Sequence, residues 1–155
     1  FKKMKNIKTK LFSLLFVSIA FVSCSDSDSS DLDTQKPTIS IQSPTDHQEV
    51  EPGSELNIQA LLQDETALAS YKVEIHAAGD GHEHRTIALD NKVPFTYENV
   101  FQIESNPKSY QVDYSISIPE NAKEDHYHVG IFCIDAAGNQ SQQFVEIFIG
   151  HEDIH

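Results

Sequence analysis

The chain is predicted to fold as an all-β domain of seven strands. From Lys36-Pro37 onward, short runs alternate apolar and polar residues with a period of two. No stretch carries a helical period of useful length. Gly, Pro, Asn and Asp clusters separate the runs, as turns between strands require. The expected strands cover residues 38–43, 55–63, 69–77, 95–101, 110–118, 126–135 and 142–150.

Each boundary has local chemistry behind it. Ser43-Pro44-Thr45-Asp46 ends the first run and Glu51-Pro52-Gly53-Ser54 opens the second, both groups being turn formers. In the third run Tyr71, Val73 and Ile75 form the inward set, which turns Lys72, Glu74 and His76 outward. The fourth run, 95–101, is followed by Asn106-Pro107-Lys108, which sets the start of the fifth. In the sixth, Tyr127, Val129, Ile131 and Cys133 point inward, so His126, His128, Gly130, Phe132 and Ile134 point outward. Ala136-Ala137-Gly138-Asn139 then makes a tight turn with residues that tolerate positive φ. The last run is apolar on both parities and leaves its register open: with Val145, Ile147 and Ile149 inward, Phe144 and Phe148 stand beside Phe132 as an outward aromatic stripe, and the favoured alternative buries these rings beneath the chain's own loops. Seven antiparallel strands at this spacing suit an immunoglobulin-like sandwich.

Residues 1–23 read as a targeting segment. Lys2, Lys3, Lys5, Lys8 and Lys10 precede an apolar run, 11–22, too short for the roughly 20 residues of a membrane-spanning helix. Met4 is the expected initiator. The run ends at Ser23-Cys24, which resembles the lipobox of bacterial lipoproteins, although Phe21 stands where that pattern prefers Leu or Val. The resemblance implies lipid attachment at Cys24 and an anchor in the outer membrane, with the domain periplasmic or surface-exposed. Residues 24–36 form an acidic Ser/Asp-rich tether that cannot bury a core. Residues 37–155 form the domain.

Removal of the five signal lysines shifts the formal charge from −13 to −18, which excludes nucleic acid as a partner on electrostatic grounds. With Cys24 acylated, Cys133 has no partner for a disulfide and reads as a small buried hydrophobe. No nucleophile–base–acid triad, phosphate loop or glycosidase carboxylate pair can be assembled, so no enzymatic activity is expected.

Pro37-Thr38-Ile39 with Ser43-Pro44 resembles the opening of many bacterial surface immunoglobulin-like domains. Tyr127 through Asn139, including Ile134-Asp135-Ala136-Ala137-Gly138-Asn139, resembles their penultimate strand and final hairpin. Together with Glu74-Ile75-His76, Asp80-Gly81-His82-Glu83-His84 and His126-Tyr127-His128, the pattern resembles an uncharacterised family of Bacteroidetes lipoproteins, a domain of unknown function. The resemblance implies fold and location and brings no activity.

The histidines carry the functional signal. His47, His76, His82, His84, His126, His128, His151 and His155 all fall at one pole of the expected sandwich. The strand ending at His76 and the strand starting at His126 are antiparallel neighbours in this topology. Strands lie about 4.8 Å apart and same-face residues about 6.6 Å apart along a strand, so His76, His126 and His128 are expected to converge on one ion. Gly79 and Gly81 would let His82 or His84 complete the set, with Asp80, Glu83 and Asp125 as oxygen donors. Imidazole surroundings suit zinc first, with copper or nickel as alternatives. At the opposite pole, Gln63-Asp64-Glu65 and Asp135 with Asn139 offer hard oxygens suited to calcium, or simply turn formers. The expected function is a lipid-anchored, extracytoplasmic metal-binding protein. The alternative is a cell-surface module that recognises a protein or glycan partner without a metal.

Overall fold

The computed structural model describes residues 32–79 and 91–151. The signal segment with Cys24, residues 24–31 of the tether, His82, His84 and His155 lie outside the described residues. Eight strands are present: β1 (Thr38–Ser43), β2 (Gln48–Val50), β3 (Glu55–Gln63), β4 (Leu68–Ala77), β5 (Tyr97–Gln102), β6 (Ser109–Ser117), β7 (Asp125–Asp135) and β8 (Gln140–Ile149). They form one sheet in the order β1-β3-β6 and a second in the order β2-β8-β7-β4-β5. The fold is an immunoglobulin-like β-sandwich.

The core follows from the period-two pattern. Leu56, Ile58, Ala60 and Leu62 of β3 are fully buried, and Val73, Val129, Ile131, Cys133, Ile147 and Ile149 meet them from the other sheet. One face of each strand thus leaves water, at roughly 25 cal/mol per Å² of apolar surface. The parity of β4 and β7 is as the sequence predicts, and β8, whose register the sequence left open, packs Val145 against the core and leaves Phe144 exposed.

Tyr127 fixes the entry to β7. Its buried hydroxyl donates to the Lys123 carbonyl at 2.8 Å and accepts the Phe95 amide at 3.2 Å. A tyrosine that bonds back to backbone a few residues upstream of this strand is the tyrosine corner of immunoglobulin-like sandwiches. Burial pushes the pKa of this phenol up, so it stays protonated and available as a donor.

Two corrections concern the strands. β2 is absent from the seven expected strands: its three residues pair in parallel with the last strand, Gln48 to Ile147, Glu49 to Phe148 and Val50 to Ile149. Three residues between turn formers carry no readable period, and only the neighbouring edge makes them a strand. The strand expected at 95–101 starts at Tyr97, because Phe95 is held at the rim by the Tyr127 hydroxyl rather than by a ladder.

Candidate functional site

The outer face of the five-stranded sheet forms a grid. In register, His76 stands opposite His128, and His128 stands opposite Glu146, making one row across β4, β7 and β8. One row further in stand Glu98, Glu74, Gly130 and Phe144, and beyond that Val100, Lys72, Phe132 and Gln142. The His76 and His128 rings meet edge to face with centroids 5.5 Å apart. His126 lies two residues before His128, opposite Phe148.

Glu146 is the hub of this surface. Its Oε1 lies 3.0 Å from His126 Nδ1 and 3.4 Å from His47 Nδ1, and its Oε2 lies 3.7 Å from His128 Nε2. Its backbone is held as well. The Glu146 amide donates to Asp46 Oδ1 at 3.0 Å, and its carbonyl accepts the His47 amide at 2.7 Å. His47 reaches it with a φ of 60°, a left-handed conformation that histidine adopts more readily than bulkier residues. His76 leans instead toward Glu74, with Nε2 3.8 Å from Oε1.

The expected meeting of His76, His126 and His128 is therefore realised in part. The neighbouring strands bring His76 beside His128 as predicted. The third imidazole, His126, turns to Glu146 rather than toward the pair. The physical reason is that imidazole N–H groups on a strongly acidic surface are satisfied by carboxylates. His151 lies apart from these, near Glu49 and Glu51 at 3.7 and 3.2 Å. His82 and His84 fall outside the described residues. Glu146 was missed by sequence reasoning, and His47 was placed at this pole without its contact to Glu146. The parity that turned Phe144 and Phe148 outward also turns Glu146 outward, so that signal was available in one of the two registers open to β8. His47 depends on a turn conformation that no pattern reveals.

Gly130 explains why the aromatic residues sit where they do. A Cβ there would lie well inside van der Waals contact with the Phe144 ring, which covers the glycine from β8. Phe144 meets Phe132 edge to face at 5.5 Å and His128 at 6.4 Å, while Lys72 Nζ lies 4.2 Å above the Phe132 ring. Beside His76 a shallow groove of about 230 Å³ is lined by Glu74, Ile75, His76, Thr96, Tyr97 and Glu98. That is below the roughly 300 Å³ at which small-molecule sites begin, so this face suits an ion or another surface.

Among the described residues, three acidic or imidazole side chains bring ligand atoms within 4.8 Å of one another only at the opposite pole, where Asp33, Asp64 and Asp135 meet. Asp64 and Asp135 retain 8% and 2% exposure. Burial works to raise the Asp135 carboxyl, but hydrogen bonds from the Asn139 side chain and from the turn amides outweigh it and hold the group below its usual range. Asp33 was not among the residues singled out at this pole, since the tether shows no pattern that docks it.

No curated protein matches the chain. Among solved structures, the fold is similar to a DUF4466 family protein from Parabacteroides merdae, at 13% identity and a TM-score of 0.49, covering 72% of this chain and 44% of that one. It is also similar to OgpA from Akkermansia muciniphila, at 11% identity and a TM-score of 0.46, covering 76% and 30%. Fibronectin(III)-like modules of Clostridium thermocellum CbhA align at 16% identity and a TM-score of 0.41, covering 72% and 94%. The chain spans less than half the length of the first two. Residues 22–150 match the domain of unknown function DUF4625, and the chain belongs to that family.

Proposed function

We propose that the protein is a lipid-anchored, extracytoplasmic binding module whose histidine–glutamate face takes a divalent transition ion, zinc before copper or nickel. Its role is metal capture, sequestration or metal-dependent association. The observation that carries this reading is the row His76–His128–Glu146, with His126 on the same carboxylate. Two imidazoles and a carboxylate from adjacent strands are a ligand set that zinc accepts, at about 2.0–2.2 Å from each donor. The rings are about half exposed, so the side chains have room on the solvent side to rotate and exchange hydrogen bonds for metal bonds. Glu74 then remains beside His76 to orient its ring. His82 and His84 are the further candidates for this ion.

Calorimetric titration of metal-stripped, untagged protein with zinc chloride tests the reading. A stoichiometric complex is expected, weakened at least tenfold in His128→Ala and in Glu146→Ala and unchanged in His151→Ala. Because only neutral imidazole coordinates, affinity falls on acidification. Equal binding by wild type and a His76→Ala/His128→Ala double variant refutes the site.

One observation favours the second reading, a protein- or glycan-recognition surface without metal. Phe144 is 40% exposed beside Phe132 on the same face, and exposed aromatic rings suit partner recognition. Absence of zinc binding in the wild type would leave this as the working function.

A further inference from the structure

Turn chemistry explains only half of the acidic pole. Asp64 Oδ1 accepts the amides of Thr66 and Ala67 at 2.9 and 2.8 Å, an ordinary cap for the turn between β3 and β4. Asp33 Oδ1 accepts the Gln35 amide at 3.0 Å. Asp135 Oδ1 accepts the Asn139 amide and its Oδ2 accepts Asn139 Nδ2, both at 2.8 Å. The same Asn139 amide group donates to the Asp33 carbonyl at 3.0 Å, tying the entering chain to the last hairpin. The second oxygens of Asp33 and Asp64 are buried and have no partner at all.

Those orphan oxygens belong to two of the three carboxylates whose ligand atoms crowd within 4.8 Å. None of the ion pairs among the described residues involves Asp33, Asp64 or Asp135. Ionised carboxylates offer only acceptors and cannot hydrogen-bond one another, and the turn amides that hold their other oxygens leave Asp33 Oδ2 and Asp64 Oδ2 unanswered. Buried acceptors of like charge require a positive guest.

We propose that Asp33, Asp64 and Asp135 form a calcium site that clamps the chain entering the domain to the β3–β4 and β7–β8 turns. All donors are hard oxygens. Calcium accepts six to eight of them at about 2.3–2.6 Å, mixing carboxylates, carbonyls and water, whereas magnesium keeps most of its water and uses one or two carboxylates. Neither imidazole nor thiolate takes part, which separates this pole from the histidine face. Extracellular modules bind calcium with dissociation constants of about 10⁻⁴–10⁻³ M, and this range is expected here.

The test is equilibrium dialysis of the EDTA-stripped full chain against calcium, with thermal unfolding followed in parallel. One ion per chain is expected, with a rise in Tm that millimolar magnesium does not reproduce. Asp64→Asn keeps an acceptor for the Thr66 and Ala67 amides but loses the charge. It should weaken calcium at least tenfold, abolish the Tm response and melt no lower than calcium-free wild type. Asp33→Asn, on a half-buried segment, is the second variant should Asp64→Asn fold poorly. His128→Ala must leave calcium binding intact. No bound calcium in wild type, an equal response to magnesium, or full binding in both Asp→Asn variants overturns the proposal, the last two reporting only screening of an acidic surface.

Discussion

Replacing Tyr127 by Phe isolates one hydroxyl on which two backbone groups depend. The Phe95 amide, at 3.2 Å, is buried, and the Lys123 carbonyl, at 2.8 Å, is partly so. Phe fills the same fully buried space, so the packing contribution is retained. What changes is that a donor and an acceptor lose their partner, each costing about 1–3 kcal/mol when shielded from water. The carbonyl recovers part of its loss by hydration, which puts the expected destabilisation at about 2–4 kcal/mol. At about 2.1 cal/mol/K per residue, an ordinary domain of roughly 120 residues loses about 4 °C per kcal/mol, so Tm should fall by about 8–16 °C. Urea unfolding and thermal melts measure both quantities. A loss below about 0.5 kcal/mol would refute the corner's role, because it would mean that the two backbone groups are solvated in wild type. Zinc affinity should survive in folded Tyr127→Phe, since alternation and not the hydroxyl turns His126 and His128 outward.

Two further outcomes follow from the same surfaces. Gly130→Ala forces the Phe144 ring off β7, because the added methyl overlaps it. Overpacking of about 1–3 kcal/mol should exceed the roughly 0.4–1 kcal/mol gained from a stiffer unfolded chain, so denaturant titration should show a less stable variant, and a more stable one would mean that the ring's seat contributes nothing. Cys133 is fully buried, and desolvation, reinforced by the Asp64 and Asp135 charges, pushes its thiol up to about 12. At pH 8 it should be inert to a thiol reagent in native protein and react fully in guanidinium; rapid native labelling would contradict the burial.

Much of this protein was legible in its sequence because strand parity is a local property. A residue's facing depends only on its neighbours along the strand, so the inward sets of β4 and β7 and the outward histidines could be read directly, whereas β8, apolar on both parities, needed the structure to choose its register. The facing of His76 with His128 was also legible, because topology fixes which strands neighbour and both residues sit near the paired ends. Glu146 was half legible: it shares the parity of Phe144 and Phe148, but its position opposite His128 needed the register of β8.

What only the tertiary structure decided are the contacts whose partners lie far apart and carry no period. His47 reaches Glu146 through a left-handed turn residue, and β2 exists only because the β8 edge is there to pair with it. Asp33 joins Asp64 and Asp135 because Asn139 holds the entering chain by its carbonyl. Alternation along a strand writes the faces of the sheets into the sequence. Which charges from separate loops end in one small volume is set by how the completed sheets close, and no local pattern records that.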